Sequence, residues 1–125
     1  MTAIKNLLET LYHEVIPMKG FEDKLSVLKA GDRVGITCSP KQGLQVTLDT
    51  VSQLSSRGFM LTPHIAARQV MNRQHLCDIV AQLSDSGITS IFVPGGDLDS
   101  PMGEYDSSAA VLRDLSEMDH PFTRV

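Results

Sequence analysis

The chain has 125 residues, of which 42% are hydrophobic and 21% charged, and a formal net charge of −4. That length sets the scale of one ordinary domain spanning residues 1–125, and the apolar content excludes a disordered chain. The acidic balance without a basic run excludes a nucleic-acid surface, and no stretch reaches the roughly 18 uninterrupted apolar residues of a membrane span.

Aromatic residues are scarce (four Phe, two Tyr, no Trp), so aliphatic side chains must fill the core. The opening Met1-Thr2-Ala3-Ile4-Lys5-Asn6 lacks the apolar block of a secretory signal, and a cytoplasmic location is the expectation. Cys38 and Cys77 match neither a CxxC nor a zinc pattern and read as plain buried thiols of a reducing compartment. No His or Cys pair has metal-ligand spacing, so no metal site is expected.

In chain order, residues 2–11 predict a short helix, with Thr2 as its cap and Ile4, Leu7, Leu8 and Leu11 on one face. Residues 14–17 follow as a strand that Pro17 ends. Residues 21–28 predict a helix with Leu25 and Leu28 inward, and Gly31-Asp32 is a turn signal. Residues 33–38 are the second strand and 39–43 a loop. Residues 44–56 predict a helix with Leu44, Leu48, Val51 and Leu54 on one face, closed by Arg57-Gly58. Residues 59–63 are the third strand.

The strongest helical pattern is 73–85, where Leu76, Ile79, Val80 and Leu83 repeat at i, i+3, i+4, i+7 and Gly87 stops the run. The near-continuous apolar run 88–93 predicts a strand buried on both faces. Residues 95–103 form a loop of Gly, Pro and Asp. Asp106 or Ser107 caps a last helix carrying Val111, Leu112, Leu115 and Met118, and 122–125 starts a further strand. Alternation of β and α at this spacing predicts an α/β fold with a parallel sheet and right-handed crossovers. An open doubly wound sheet and part of a closed (β/α)8 barrel both fit that pattern. A complete barrel uses about 250 residues.

Each strand ends in a polar residue, and a parallel sheet gathers strand ends on one rim where α/β proteins bind ligands. Glu14, between His13 and the apolar Val15-Ile16, is a candidate general acid, since a partly apolar setting raises a carboxyl pKa; a surface Glu near a turn is the alternative. Thr37 and His64 can hydrogen-bond a ligand at the rim or satisfy nearby backbone. The Pro94-Gly95-Gly96-Asp97 turn lets backbone approach a flat or phosphorylated ligand with Asp97 facing it; a plain turn with Asp97 as a cap is the alternative. Tyr105 can stack on a ligand or pack on the protein.

Taken in order, these residues resemble the methylenetetrahydrofolate reductase family. Its first strand ends Phe-Glu-(Phe/Val)-(Phe/Ile)-Pro, matched by His13-Glu14-Val15-Ile16-Pro17. Its second ends Val-Thr, near Ile36-Thr37. Its third carries Pro-His-(Leu/Ile)-(Thr/Ala), matched by Pro63-His64-Ile65-Ala66. Its fourth ends Gly-Asp, matched by Gly96-Asp97, and a Tyr before a small-residue helix start is matched by Tyr105-Asp106-Ser107. Many members carry Arg where this chain has Gly95.

The resemblance implies the N-terminal half of a flavin-containing (β/α)8 TIM barrel. FAD, reduced by NAD(P)H, would pass hydride to 5,10-methylenetetrahydrofolate. Glu14 would be the general acid that helps open the folate's five-membered ring. Thr37, His64, Gly95, Gly96 and Asp97 would form the flavin site, and Tyr105 would contact the cofactor's nucleotide portion. Two other readings stand beside it. One is a non-catalytic, stand-alone half barrel that binds a ligand or oligomerises. The other is an unrelated open α/β binding or regulatory domain. A half barrel has two open sheet edges, so a homo-oligomer, or pairing with a complementary half barrel, is expected.

Overall fold

A computed structural model describes residues 12–15, 25–26 and 28–125. The helix expected over 2–11, most of that over 21–28 and the stop at Pro17 lie outside the described residues. Leu25 is fully buried and Leu28 packs against the core, as the expected inward face of the second helix requires.

Three strands form a parallel sheet in the order β1 (Tyr12–Val15), β2 (Arg33–Ile36), β3 (Met60–Pro63). The register pairs Glu14 with Gly35 and Gly35 with Thr62. Two further parallel bridges continue the sequence, His64 to Phe92 and Ser90 to Arg124. The polypeptide therefore adds each new extended segment beside the last. That consecutive parallel order is what short βα units produce when every crossover has one hand.

Among the described residues three α-helices fill the crossovers after β2: α1 (Leu44–Leu54), α2 (Arg73–Asp85) and α3 (Ser108–Ser116). α1 starts at Gly43, whose φ of 86° places it in the left-handed region, and it buries Leu44, Thr47, Leu48, Thr50, Val51 and Leu54. Its last turn tightens into a 3₁₀ turn over Ser55–Arg57, and Gly58 closes it with a left-handed φ of 82°. The helix thus ends two residues before the expected position 56.

The ends of α2 match the sequence reading. Asn72 caps it by accepting a hydrogen bond from the His75 N–H at 2.8 Å, and Leu76, Ile79, Val80 and Leu83 are buried. At α3, Ser107 is the cap, accepting from the Ala110 N–H. None of the described helices is long and apolar enough to cross a membrane.

The core lies between the helices and one face of the sheet. Val34 and Ile36 from β2, Leu61 from β3, and Ile91 and Val93 join Leu48, Val51, Leu54, Leu76, Leu83, Val111 and Leu115 in one buried cluster. α1 packs on β2 and β3, α2 on α1, and α3 on α2.

The alternate residues of the same strands tell a different story. Met60 is exposed, and Arg33, Thr62 and Ser90 are half-buried. Burial of 88–93 on both faces is accordingly corrected. Ile88, Ile91 and Val93 are buried, but Thr89 and Phe92 are exposed, Phe92 by 52%. The described helices cover only one side, so residues alternate between core and open face.

Candidate functional site at the strand-end rim

Backbone hydrogen bonds stitch the ends of successive strands together. The His64 N–H donates to the Ile36 carbonyl at 2.8 Å, which sets His64 beside Thr37. The Ile65 N–H donates to Phe92 O at 2.8 Å. The next residues run along the following turn, with Ala67 N–H to Pro94 O at 2.9 Å and Arg68 N–H to Gly95 O at 3.1 Å. Thr37, His64, Gly95 and Gly96 therefore share one rim, and Asp97 follows as an exposed carboxylate. Glu14 enters through register alone: it pairs with Gly35, two residues before Thr37.

His64 is 8% exposed, and its ring meets Phe92 edge to face with centroids 5.0 Å apart. Thr37 contributes its carbonyl to the Thr47 hydroxyl at 3.1 Å, tying the rim to α1.

Gly96 needs to be glycine on two counts. Its φ is +99°, and a Cβ there would stand 3.2 Å from the Ala66 Cβ. At Gly95 a Cβ would meet nothing within 4 Å. The space beside Gly95 is thus open, whereas that beside Gly96 is closed by its neighbour. Asp97 places an exposed carboxylate just beyond this turn.

Cys38 lies next to Thr37. Burial pushes its thiol pKa up, and that effect outweighs hydrogen bonds from the Ala66 backbone and the Thr47 side chain, which act to lower it. A thiol so held is a poor nucleophile at neutral pH. Cys38 and Cys77 are both free and half-buried.

Tyr105 is placed by the fold in the hydrophobic cluster, 4% exposed, rather than on the rim surface. Its hydroxyl donates to Asp114 Oδ2 at 2.6 Å. Burial, followed by that bond and the nearby carboxylate charge, pushes the phenol's pKa well above its ordinary value. Asp114 also lies 3.6 Å from the Arg73 guanidinium, which reaches Glu117 at 2.9 Å. The Tyr105–Asp114–Arg73 chain thereby joins the loop before α3 to the first turn of α2.

Sequence reasoning passed over two residues near the rim, Arg68, which organises it, and Gln69. Arg68 Nε donates to Asp106 O at 3.0 Å, and its Nη1 donates to Leu98 O at 2.7 Å and Asp99 O at 3.2 Å. One guanidinium therefore holds the loop that follows Asp97. Two backbone bonds reinforce it, Met102 N–H to Arg68 O and Glu104 N–H to Met71 O, both at 2.8 Å. A Cβ at Gly103 would collide with the Met71 carbonyl, so that close approach demands glycine.

Gln69 is 3% exposed, and neither its Nε2 nor its Oε1 has a hydrogen-bond partner. Such a group carries a penalty of about 1–3 kcal/mol. The available signal for both residues was a cation and an amide inside the otherwise apolar run 65–70.

Comparison of the chain with models of known protein families and with curated proteins finds no match.

Proposed function

We propose that this chain is the first half of a flavin-dependent (β/α)8 barrel similar to methylenetetrahydrofolate reductase, acting on 5,10-methylenetetrahydrofolate. One observation carries the reading: parallel strands in consecutive order, with Thr37, His64 and the 95–97 turn joined at their ends by backbone hydrogen bonds. Ligand sites of parallel α/β folds lie at that end of the strands.

In this reading Thr37, His64, Gly95, Gly96 and Asp97 hold the FAD. The cofactor supplies hydride transfer after reduction by NAD(P)H. Gly95 leaves room for a ring against the backbone, and Gly96 holds the turn in its left-handed conformation. His64 is oriented by Phe92 and anchored through its N–H to Ile36. Asp97 places negative charge beside the ligand. Glu14 holds the proton that the folate takes up as its five-membered ring opens. Arg68 and Tyr105 act as positioning residues, fixing the loop 98–106 and the start of α3.

The test is an absorbance scan of the protein mixed with FAD, followed by folate reduction assayed with Glu14→Gln. A bound flavin spectrum with turnover that falls by about 100-fold or more in Glu14→Gln fits the assigned acid role. A protein that takes up no FAD overturns the flavin reading, and undiminished turnover in the variant overturns the role of Glu14.

A second reading, a non-catalytic half barrel that pairs with a second copy or with a complementary half barrel, draws on the open sheet face. There Phe92 is 52% exposed and Met60 56%. A colourless protein running as a dimer in size-exclusion chromatography with light scattering selects it.

A further inference from the structure

The open face of the sheet carries charge as well as apolar surface. A pocket of about 370 Å³ on that face is lined by Arg33, Thr62, Ser90, Phe92, Arg124 and their neighbours. A second cleft, also of about 370 Å³, shares Arg33, Thr62, Ser90 and Arg124 with it. Arg33 is the first residue of β2, and Arg124 bridges to Ser90. The two guanidiniums thus lie toward the beginnings of the strands, away from the turn at Gly95–Asp97. Among the described residues no Asp or Glu lines the pocket, and neither arginine has a carboxylate within 4.0 Å.

Two guanidiniums line one concavity in which, among the described residues, no Asp or Glu side chain stands, with Val125 beside them, so an anion entering it meets opposite charge. The hydroxyls add direction. Thr62 donates to the Ser90 hydroxyl at 3.1 Å, which leaves the Ser90 proton to be donated onward. Arginine forks and a hydroxyl suit the oxygens of a phosphate or carboxylate. Beside them stands the exposed Phe92 ring, held edge-on to His64.

We infer that this pocket binds a small organic oxyanion. Its phosphate or carboxylate group is gripped by Arg33, Arg124 and Ser90, and its apolar body rests on Phe92. The pocket borders the flavin rim at His64, which lines both, but its arginines and Ser90 take no part in that rim, and the site does not depend on flavin being bound.

Isothermal titration of the full chain at low ionic strength with phenyl phosphate, benzoate and inorganic phosphate tests it. The two organic probes distinguish a phosphoryl group from a carboxylate. Arg33→Gln and Arg124→Gln are each expected to weaken the bound probe by about tenfold or more. Phe92→Ala is expected to weaken the phenyl probes while leaving inorganic phosphate unchanged. Arg113→Gln, an exposed arginine on α3, should bind as the native chain does. Arg124 is itself exposed, so its variant carries the test even where Arg33→Gln disturbs folding. Failure of both organic probes to bind at millimolar concentration overturns the site, as does equal affinity in Arg124→Gln or an equal loss in Arg113→Gln. Because FAD takes no part, these outcomes leave the flavin reading to its own experiment.

Discussion

The two faces of the one sheet are built from the same strands and differ in almost everything else. On the covered face, Val34, Ile36, Leu61, Ile91 and Val93 are buried under α1, α2 and α3. On the open face, one residue along each strand, stand Arg33, Thr62, Ser90 and Phe92. The difference teaches that core packing and pocket lining are separated by a period of two. A side chain pointing one way meets aliphatic core; its neighbour meets a pocket. The covered face carries the hydrophobic stabilisation, and the open face is free to hold charge, hydroxyls and an exposed ring.

Truncation on the two faces gives the largest contrast. Leu83→Ala, at a side chain 1% exposed in the core, is expected to cost about 2–5 kcal/mol of unfolding free energy. Phe92→Ala on the open face should change stability by no more than about 0.5 kcal/mol. Urea unfolding followed by circular dichroism measures both, and comparable losses would break the distinction between the faces.

The rim joins the two faces, and Arg68 is its clasp. Arg68→Ala removes the guanidinium's bonds to Leu98, Asp99 and Asp106, with an expected local cost of about 2 kcal/mol. Hydrogen exchange should accelerate in residues 98–106 while α2 stays protected. Unchanged exchange in that loop would show that its backbone bonds suffice.

A smaller effect than at Arg68 is expected at Tyr105, on the covered side. Tyr105→Phe removes the hydroxyl bond to Asp114 and should cost about 1 kcal/mol. The bond also predicts a pH dependence. Burial and Asp114 raise the folded phenol's pKa above its unfolded value of about 10. The protonated phenol is therefore favoured by folding. Its contribution is complete below the unfolded value and is lost as pH rises through the raised folded one. Stability profiles of the native chain and Tyr105→Phe should converge at strongly alkaline pH. A constant gap through that range would sink the assignment.

The helices were the most legible part of the sequence. Over 73–85 the apolar spacing and Gly87 after it point to the same boundaries, and α2 occupies Arg73–Asp85. α1 ends earlier than its pattern because apolar spacing does not distinguish an α turn from the 3₁₀ turn at Ser55–Arg57. For the candidate site, local sequence indicated that polar residues follow strand ends. It did not reveal Arg68, whose partners lie 30 to 38 residues away.

The sequence alone determined the alternation of strands and helices and the glycine turns, and narrowed the last helix's cap to Asp106 or Ser107, because each depends on neighbours within a few residues. Tertiary structure decided which strands adjoin, that Phe92 faces outward, that Tyr105 packs inward onto Asp114, and that Arg33 and Arg124 share a pocket. These are contacts between distant segments. An apolar run such as 88–93 reads the same whether helices cover one side of it or both, so its environment is settled only once the chain has folded around it.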